Sequence, residues 1–180
     1  MTRPRYLAAL VLALPLAFAA CSSPDRPSVV PDEVVLPTPM RSFEASVQRS
    51  VAAVEAALLA TDERLGLPVG AYRPSEPESL LQTPRVIRRV ELADADDGYV
   101  VIYQADGRGA ALERAAELAD YVASGFGQTN FPADTQFSVA TFEDTVIFTT
   151  WSQRRSDDPE RAEAAFDAIA DVGSPVEISK

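Results

Sequence analysis

The sequence contains no histidine and only one cysteine, one lysine and one asparagine. Without histidine, the chain has no serine–histidine–aspartate triad, no imidazole base and no imidazole metal ligand. It also has no Gly-x-Ser-x-Gly turn for a nucleophile and no Gly-Lys-Ser loop for a phosphate. A hydrolase that works with two carboxylates stays open as a minor alternative, because a pair of acids can cleave a glycosidic bond. The sequence therefore favours a protein that is not an enzyme and needs no cofactor.

Cys21, the only cysteine, directly follows a segment with the parts of a secretory leader. Two arginines precede an apolar run over 7–18, which is too short to span a bilayer. Residues 18–21 read Phe-Ala-Ala-Cys. They resemble the lipobox of bacterial lipoproteins, a class in which the cysteine is lipidated and begins the mature chain. The resemblance covers the leader only, and it implies a signal peptide over 1–20 and a lipid anchor such as palmitate at Cys21.

The lipoprotein interpretation places the protein in the cell envelope. Acylated Cys21 would hold it at the cell membrane or the outer membrane, with the domain on the extracytoplasmic side. The alternative is an ordinary cleaved leader, which would leave Cys21 as an unpaired thiol in an oxidising compartment. Because an exposed thiol is reactive there and lipidation removes it, the sequence favours the anchor.

Acidic residues outnumber basic ones by 27 to 16, and the net charge is −11. Removal of the leader would take away two arginines and no acid, which makes the mature chain more negative still. Such a surface repels both nucleic-acid phosphates and anionic lipid head groups. We therefore expect no nucleic-acid partner, bilayer contact through the acyl chains of Cys21, and a protein partner in the envelope.

Prolines mark a spacer between the leader and the folded part. They stand at Pro24, Pro27, Pro31, Pro37 and Pro39. Because such chains favour polyproline II, which rises about 3.1 Å per residue, residues 21–38 are predicted to form a tether of roughly 50–60 Å. Residues 39–180 are long enough for a single domain. No internal disulfide is available to it.

The first helix is predicted to begin at Pro39 and to run to about residue 65, with Gly66 as its left-handed cap. Ser75 and Glu78 have the spacing of a capping box, which predicts a short helix near 76–82. The remaining elements are predicted as strands at 86–92 and 99–104, a helix at 108–124, a hairpin at 135–153 turning at Glu143 and Asp144, and a helix at 159–172 that begins after Asp157 or Asp158.

This order predicts the α+β class: a four-stranded antiparallel sheet built from two hairpins, with three main helices in the order helix-hairpin-helix-hairpin-helix. Residues 99–103 are apolar on both faces, which predicts a central strand. The helices are expected to pack on one face of the sheet. The other face is expected to be exposed or covered by the first helix.

Three aspartates precede Gly98, at Asp94, Asp96 and Asp97. They resemble the opening of a calcium loop, but glycine occupies the fifth position of that pattern and alanine the twelfth. Asp-Gly between two strand-like runs is instead a strong hairpin signal. A turn is therefore the favoured interpretation, and the three aspartates are only weak candidates for a metal site.

The stretch 124–131 has two glycines, hydrogen-bonding side chains and two phenylalanines where solvent is expected. The favoured interpretation is a helix cap followed by a loop whose aromatic rings fold back onto the core. The alternative is a recognition loop with an aromatic anchor. Its residues would be Phe126, Gln128, Asn130 and Phe131. Trp151, at the end of the last strand, is open between core and contact surface.

Taken together, these features favour a non-enzymatic envelope lipoprotein that presents an acidic α+β domain for protein–protein interaction or envelope assembly. The first alternative is a lipoprotein that binds a small ligand or a divalent cation in an acidic or aromatic cleft. The second is the carboxylate-dependent hydrolase, which requires two acids in one cleft.

Overall fold

The computed structural model of the chain describes residues 45–68, 75–92 and 98–179. The chain divides into two units after Thr38, and all described residues belong to the second. The helices and strands in chain order are α1 (Ala45–Leu59), β1 (Leu65–Gly66), β2 (Arg85–Val90), β3 (Tyr99–Gln104), α2 (Arg108–Ala123), β4 (Thr135–Phe142), β5 (Thr145–Ser152), α3 (Pro159–Ala170) and β6 (Ser174–Val176). Two short 3₁₀ helices, Glu78–Leu80 and Gln153–Arg155, accompany them.

The strands form one antiparallel sheet in the order β1-β2-β3-β5-β4-β6. The hairpins β2–β3 and β4–β5 are joined through β3 and β5, whose pairing runs from Tyr99 opposite Thr150 to Gln104 opposite Thr145. All but the last residue of β3 and every residue of β5 are buried. The predicted central position of β3 is therefore confirmed.

The predicted four-stranded sheet is wrong, and β1 is the first of two strands that it lacks. α1 ends at Leu59, and the residue in the left-handed region is Asp62, with a φ of 59°. Gly66, predicted as the helix cap, lies instead in β1 opposite Arg89. Glycine is the stronger signal for a left-handed cap, but aspartate also adopts this conformation. The chain therefore leaves the helix early enough to add a strand.

The second missing strand is β6, which pairs with β4 through Val176 opposite Val139 and Ser174 opposite Thr141. It has only three residues, and one of them is Pro175. Proline is tolerated on an edge strand, where its missing N–H is not needed. So short a strand has no alternating pattern to reveal it, and α3 ends at Ala170 rather than at the predicted 172.

Helices cover both faces of the sheet. α2 packs against β4, β5 and β6, whereas α1 and α3 lie on the opposite face. Alternate residues of β3 serve the two cores, because Val101 and Tyr103 face α2 while Val100 and Ile102 face α1 and α3. The α+β class and the three helices are as predicted. Of the two expectations for the second face, coverage by the first helix is confirmed. The expectation that the other helices share one face is wrong, because α3 lies with α1 and opposite α2.

The predicted signals at the two later turns are present in the structure. The β4–β5 turn falls at Glu143, which has a φ of 54°, and Asp144. α3 begins with Pro159, and the side chain of Asp158 accepts a hydrogen bond from the Arg161 backbone at 3.2 Å. Of the two candidate caps, Asp158 is thus the one that caps the helix.

The cap of α3 yields a prediction about stability. Asp158→Ala removes the acceptor for the Arg161 N–H, so we expect the free energy of unfolding to fall by about 1 kcal/mol. Asp157→Ala is the matched control, because it removes the same charge one residue outside the cap and should change stability by less than about 0.5 kcal/mol. Urea denaturation followed by circular dichroism measures both. Equal losses in the two variants would contradict the capping role.

Candidate functional site

The loop 124–131, called the contact loop below, joins α2 to β4 and closes the end of the helix. The backbone N–H of Ser124 donates to the carbonyl oxygens of Asp120 and Tyr121, each at 3.1 Å. The side-chain amide of Gln128 donates to the carbonyl oxygen of Val122 at 2.8 Å. Carbonyl groups that a helix leaves open at its end thus receive donors from the loop itself.

The loop backbone is also held close to the helix. The N–H of Gly127 donates to Ser124 Oγ at 3.1 Å, and the N–H of Thr129 donates to the Phe126 carbonyl at 3.1 Å. A Cβ atom at Gly127 would lie 2.0 Å from the carbonyl oxygen of Tyr121, closer than any side chain can approach. Glycine is therefore required at this position, and the loop has a defined shape.

The two aromatic rings of the loop point to different environments. Phe131 packs edge-on against Phe137 with centroids 4.9 Å apart and joins the core on the α2 side. Phe126 is 77% exposed, and its ring meets Tyr121 edge-on at 6.1 Å. The interpretation that both rings fold back onto the core holds for Phe131 and not for Phe126.

The other two recognition candidates also separate. Gln128 is half-buried and uses its amide to hold the end of α2, as described above. Asn130 is exposed near the end of the loop. The contact loop therefore presents Phe126 and Asn130 outward, while Gln128 and Phe131 hold it in place.

No charged residue occurs between Asp120 and Asp134, although the chain is strongly acidic. Asp134 does not face the loop as a free carboxylate. It accepts hydrogen bonds from the Arg154 backbone at 2.8 Å and from the Ser152 hydroxyl at 2.9 Å. These bonds, the first above all, lower the pKa of Asp134. The exposed phenylalanine therefore lies in a sequence stretch, 121–133, that contains no charged side chain.

A second cluster, which the sequence did not reveal, lies under the segment 75–82. Glu76, with only 2% of its side chain exposed, accepts a hydrogen bond from Tyr103 at 2.7 Å and pairs with Arg85 at 2.9 Å. The Ser75 hydroxyl contacts Tyr121 Oη at 3.2 Å instead of forming the predicted capping box. No sequence signal joins these residues, because Glu76 and Tyr103 lie 27 positions apart.

Arg85 is the centre of this cluster. Its Nη1 also donates to the carbonyl oxygens of Leu80 and Leu81, at 3.3 and 3.4 Å, and its guanidinium lies 5.9 Å from the Tyr103 ring centroid. Burial raises the pKa of Glu76, while the Tyr103 hydrogen bond and the charge of Arg85 limit the rise. Since Glu76 and Tyr103 are shielded from solvent, the cluster fixes the segment to the sheet rather than meeting a substrate.

A narrow apolar cleft of about 200 Å³, its opening to solvent included, lies between α3 and the sheet. Trp151 lines it, is buried, and packs on Phe166 at 6.0 Å, which places this tryptophan in the core. Neither Trp151 Nε1 nor Thr149 Oγ1 has a hydrogen-bond partner. The cleft has an internal volume of only about 10 Å³, which is room for about one water, so it gives little support to the small-ligand alternative.

Several predicted features fall outside the described residues. They are Cys21 with its leader and tether, the start of the first helix at Pro39, and Asp94, Asp96 and Asp97. In the ranges 45–68, 75–92 and 98–179, no group of three acidic or cysteine side chains is placed to hold a metal ion. Within the same part of the chain, no helix is long and apolar enough to cross a membrane.

No family model, curated protein or solved structure matches the chain. The function is therefore inferred from the residues of this molecule. Of the three features described, the Glu76 cluster is buried and the Trp151 cleft is narrow. The contact loop alone combines exposure, a defined shape and an aromatic side chain.

The shape of the contact loop can be tested at its two glycines. Gly127→Ala forces a methyl group against the backbone of Tyr121, so we expect the free energy of unfolding to fall by about 1–3 kcal/mol. Gly125→Ala is the matched control, since a Cβ there meets no atom within 4 Å. Its change should stay within about 0.5 kcal/mol. Urea denaturation distinguishes the two, and equal stability of both variants would contradict the close approach.

The raised pKa of Glu76 predicts a pH dependence of stability. The folded state holds the carboxyl proton of Glu76 more tightly than the unfolded state does. The stabilisation that results is fully present below the ordinary pKa of a glutamate and is lost as pH rises through the raised pKa. Glu76→Gln stays neutral, and the stability of the wild type relative to this variant should therefore fall over that range.

Glu78→Gln is the matched control, because it removes an exposed carboxylate from the same segment. Thermal unfolding between about pH 4 and 8 gives the three curves. If the stability of the wild type instead rises relative to that of Glu76→Gln as pH rises, the interactions with Tyr103 and Arg85 outweigh burial. The inferred direction of the Glu76 pKa shift is then wrong. A slope shared by both variants would assign the effect to net charge.

Proposed function

We propose that this protein is a non-enzymatic, lipid-anchored envelope protein whose acidic α+β domain binds another envelope protein through the contact loop. The observation that carries the proposal is Phe126, which is 77% exposed at the tip of a loop fixed by hydrogen bonds. The lipid anchor at Cys21 and the tether over 21–38 are predicted from the sequence alone.

Burial of the exposed Phe126 ring would favour binding to a partner. Full burial of a phenylalanine side chain is worth about 1.5–3 kcal/mol, and Phe126 leaves most of this unused in the isolated domain. Residues that dominate protein interfaces are commonly aromatic and sit in pockets that exclude water. Because the loop already has its shape, little conformational entropy is lost when Phe126 is bound.

The composition around Phe126 supports the same conclusion. Interface cores are depleted of charge, and no charged residue occurs over 121–133. Tyrosine, serine, glycine and asparagine, which are frequent in binding loops of antibodies, all occur in this stretch together with the two phenylalanines. A loop that only closed α2 would have no need of an apolar tip.

The proposal is tested by cross-linking the tagged full-length protein in its own cells and identifying what co-purifies. We expect one stoichiometric partner, and its recovery should fall roughly tenfold or more in Phe126→Ser, because an interface anchor is lost. Leu112→Ser is the matched control, since Leu112 is an exposed apolar residue on α2 outside the loop. Cys21→Ala should also lose the partner by losing its anchor.

Two outcomes would count against the proposal. Recovery that is unchanged in Phe126→Ser but lost in Cys21→Ala would retain the envelope location and place the contact elsewhere on the domain. No partner above background in the wild type would contradict a binding role altogether. The small-ligand alternative would then take precedence.

A further inference from the structure

We infer that the contact loop inserts Phe126 into a concave apolar pocket on its protein partner, and that basic side chains form the rim of this pocket. The inference rests on the proposed function and specifies the chemistry of the partner. Three properties of the loop lead to it: the outward direction of Phe126, the acidic residues that flank the loop in the sequence, and its small size.

Some side chains of the loop face the domain and others face the solvent. Phe131 and Gln128 are directed back to the domain and Gly127 lies against Tyr121, so Phe126 is the only aromatic ring of the loop that points outward. Tyr121 supports one side of the ring from 6.1 Å and leaves most of it exposed. A flat partner would bury only the tip of this ring, whereas a pocket encloses it and excludes water.

The charged residues that flank the loop in the sequence, Asp120 and Asp134, are both acidic. Asp120 is exposed on the last turn of α2, where the helix dipole adds partial negative charge. Among the described residues, Asp120 has no ion pair, whereas the nearby Glu117 is paired with Arg114 at 3.3 Å. The domain as a whole is acidic. A pocket with a basic rim complements this field, and an acidic rim would be repelled.

The size of the loop sets the strength of binding. Eight residues and the adjacent Tyr121 are fewer than the roughly 20–30 residues that each side of a standard interface contributes. Affinity is then weak, and electrostatic attraction acts mainly on the rate of encounter. We therefore expect an association that weakens markedly as salt screens the charges.

The first experiment places the photo-cross-linking residue p-benzoylphenylalanine at position 126 of the full-length, lipidated protein in cells, with position 112 as the control site. We expect one major adduct at 126 that is absent at 112. Mass spectrometry should locate the attachment among apolar residues flanked by lysine or arginine. No adduct at 126, or attachment among acidic residues, would overturn the inference.

The second experiment measures the Kd of the purified partner for the wild type, Phe126→Ala and Asp120→Lys. We expect Phe126→Ala to raise the Kd about tenfold or more. Asp120→Lys should raise the Kd about fivefold. An increase from about 50 to 300 mM NaCl should raise the Kd of the wild type by a similar factor. Leu112→Ala should bind as the wild type does.

The outcomes separate this inference from the proposed function. If Phe126→Ala weakens binding while salt and Asp120→Lys have no effect, the basic rim is wrong and the contact loop remains the binding site. If Phe126→Ala binds as tightly as the wild type, the pocket and the proposed role of the loop both fail.

Discussion

The pairing of β3 with β5 is the contact on which the rest of the domain depends. It joins two hairpins that would each be marginal alone into one six-stranded sheet. Because the two strands are buried on both faces, the pairing also creates two apolar cores, one under α2 and one under α1 and α3. The contact loop inherits its position from this arrangement, since α2 ends over the sheet and the chain must return to begin β4.

The Glu76 cluster places charged groups on the α2 side of the sheet. A buried carboxylate is costly unless it is paired and hydrogen-bonded, and Arg85 and Tyr103 supply both interactions. Arg85 in turn holds two carbonyl groups at the end of the short helix Glu78–Leu80. The cluster therefore ties the segment 75–82 to β2 and β3, so that it covers the part of the sheet that α2 does not reach.

Local patterns predicted those elements whose signal is local. The two hairpins follow from alternating apolar runs with turn residues between them, and α3 follows from an aspartate before Pro159. β1 and β6 have two and three residues, too few for any alternation, and only their neighbours in the sheet stabilise them. The Glu76 cluster joins residues far apart in sequence. Likewise, only tertiary packing decides that Phe131 packs against the core and Phe126 is exposed.

Some residues of the contact loop hold its backbone in place, whereas Phe126 and Asn130 are exposed. Ser124, Gly127 and Gln128 hold the loop against the end of α2 through hydrogen bonds and the close approach of Gly127 to the helix. None of this requires an aromatic ring at position 126, where a polar side chain would satisfy the solvent better. An exposed phenylalanine adds little to folding, because most of its apolar surface stays in water. The hydrogen bonds of the loop thus fix its shape, and the Phe126 ring remains available for contact. A preorganised, exposed aromatic ring is what an interface anchor requires.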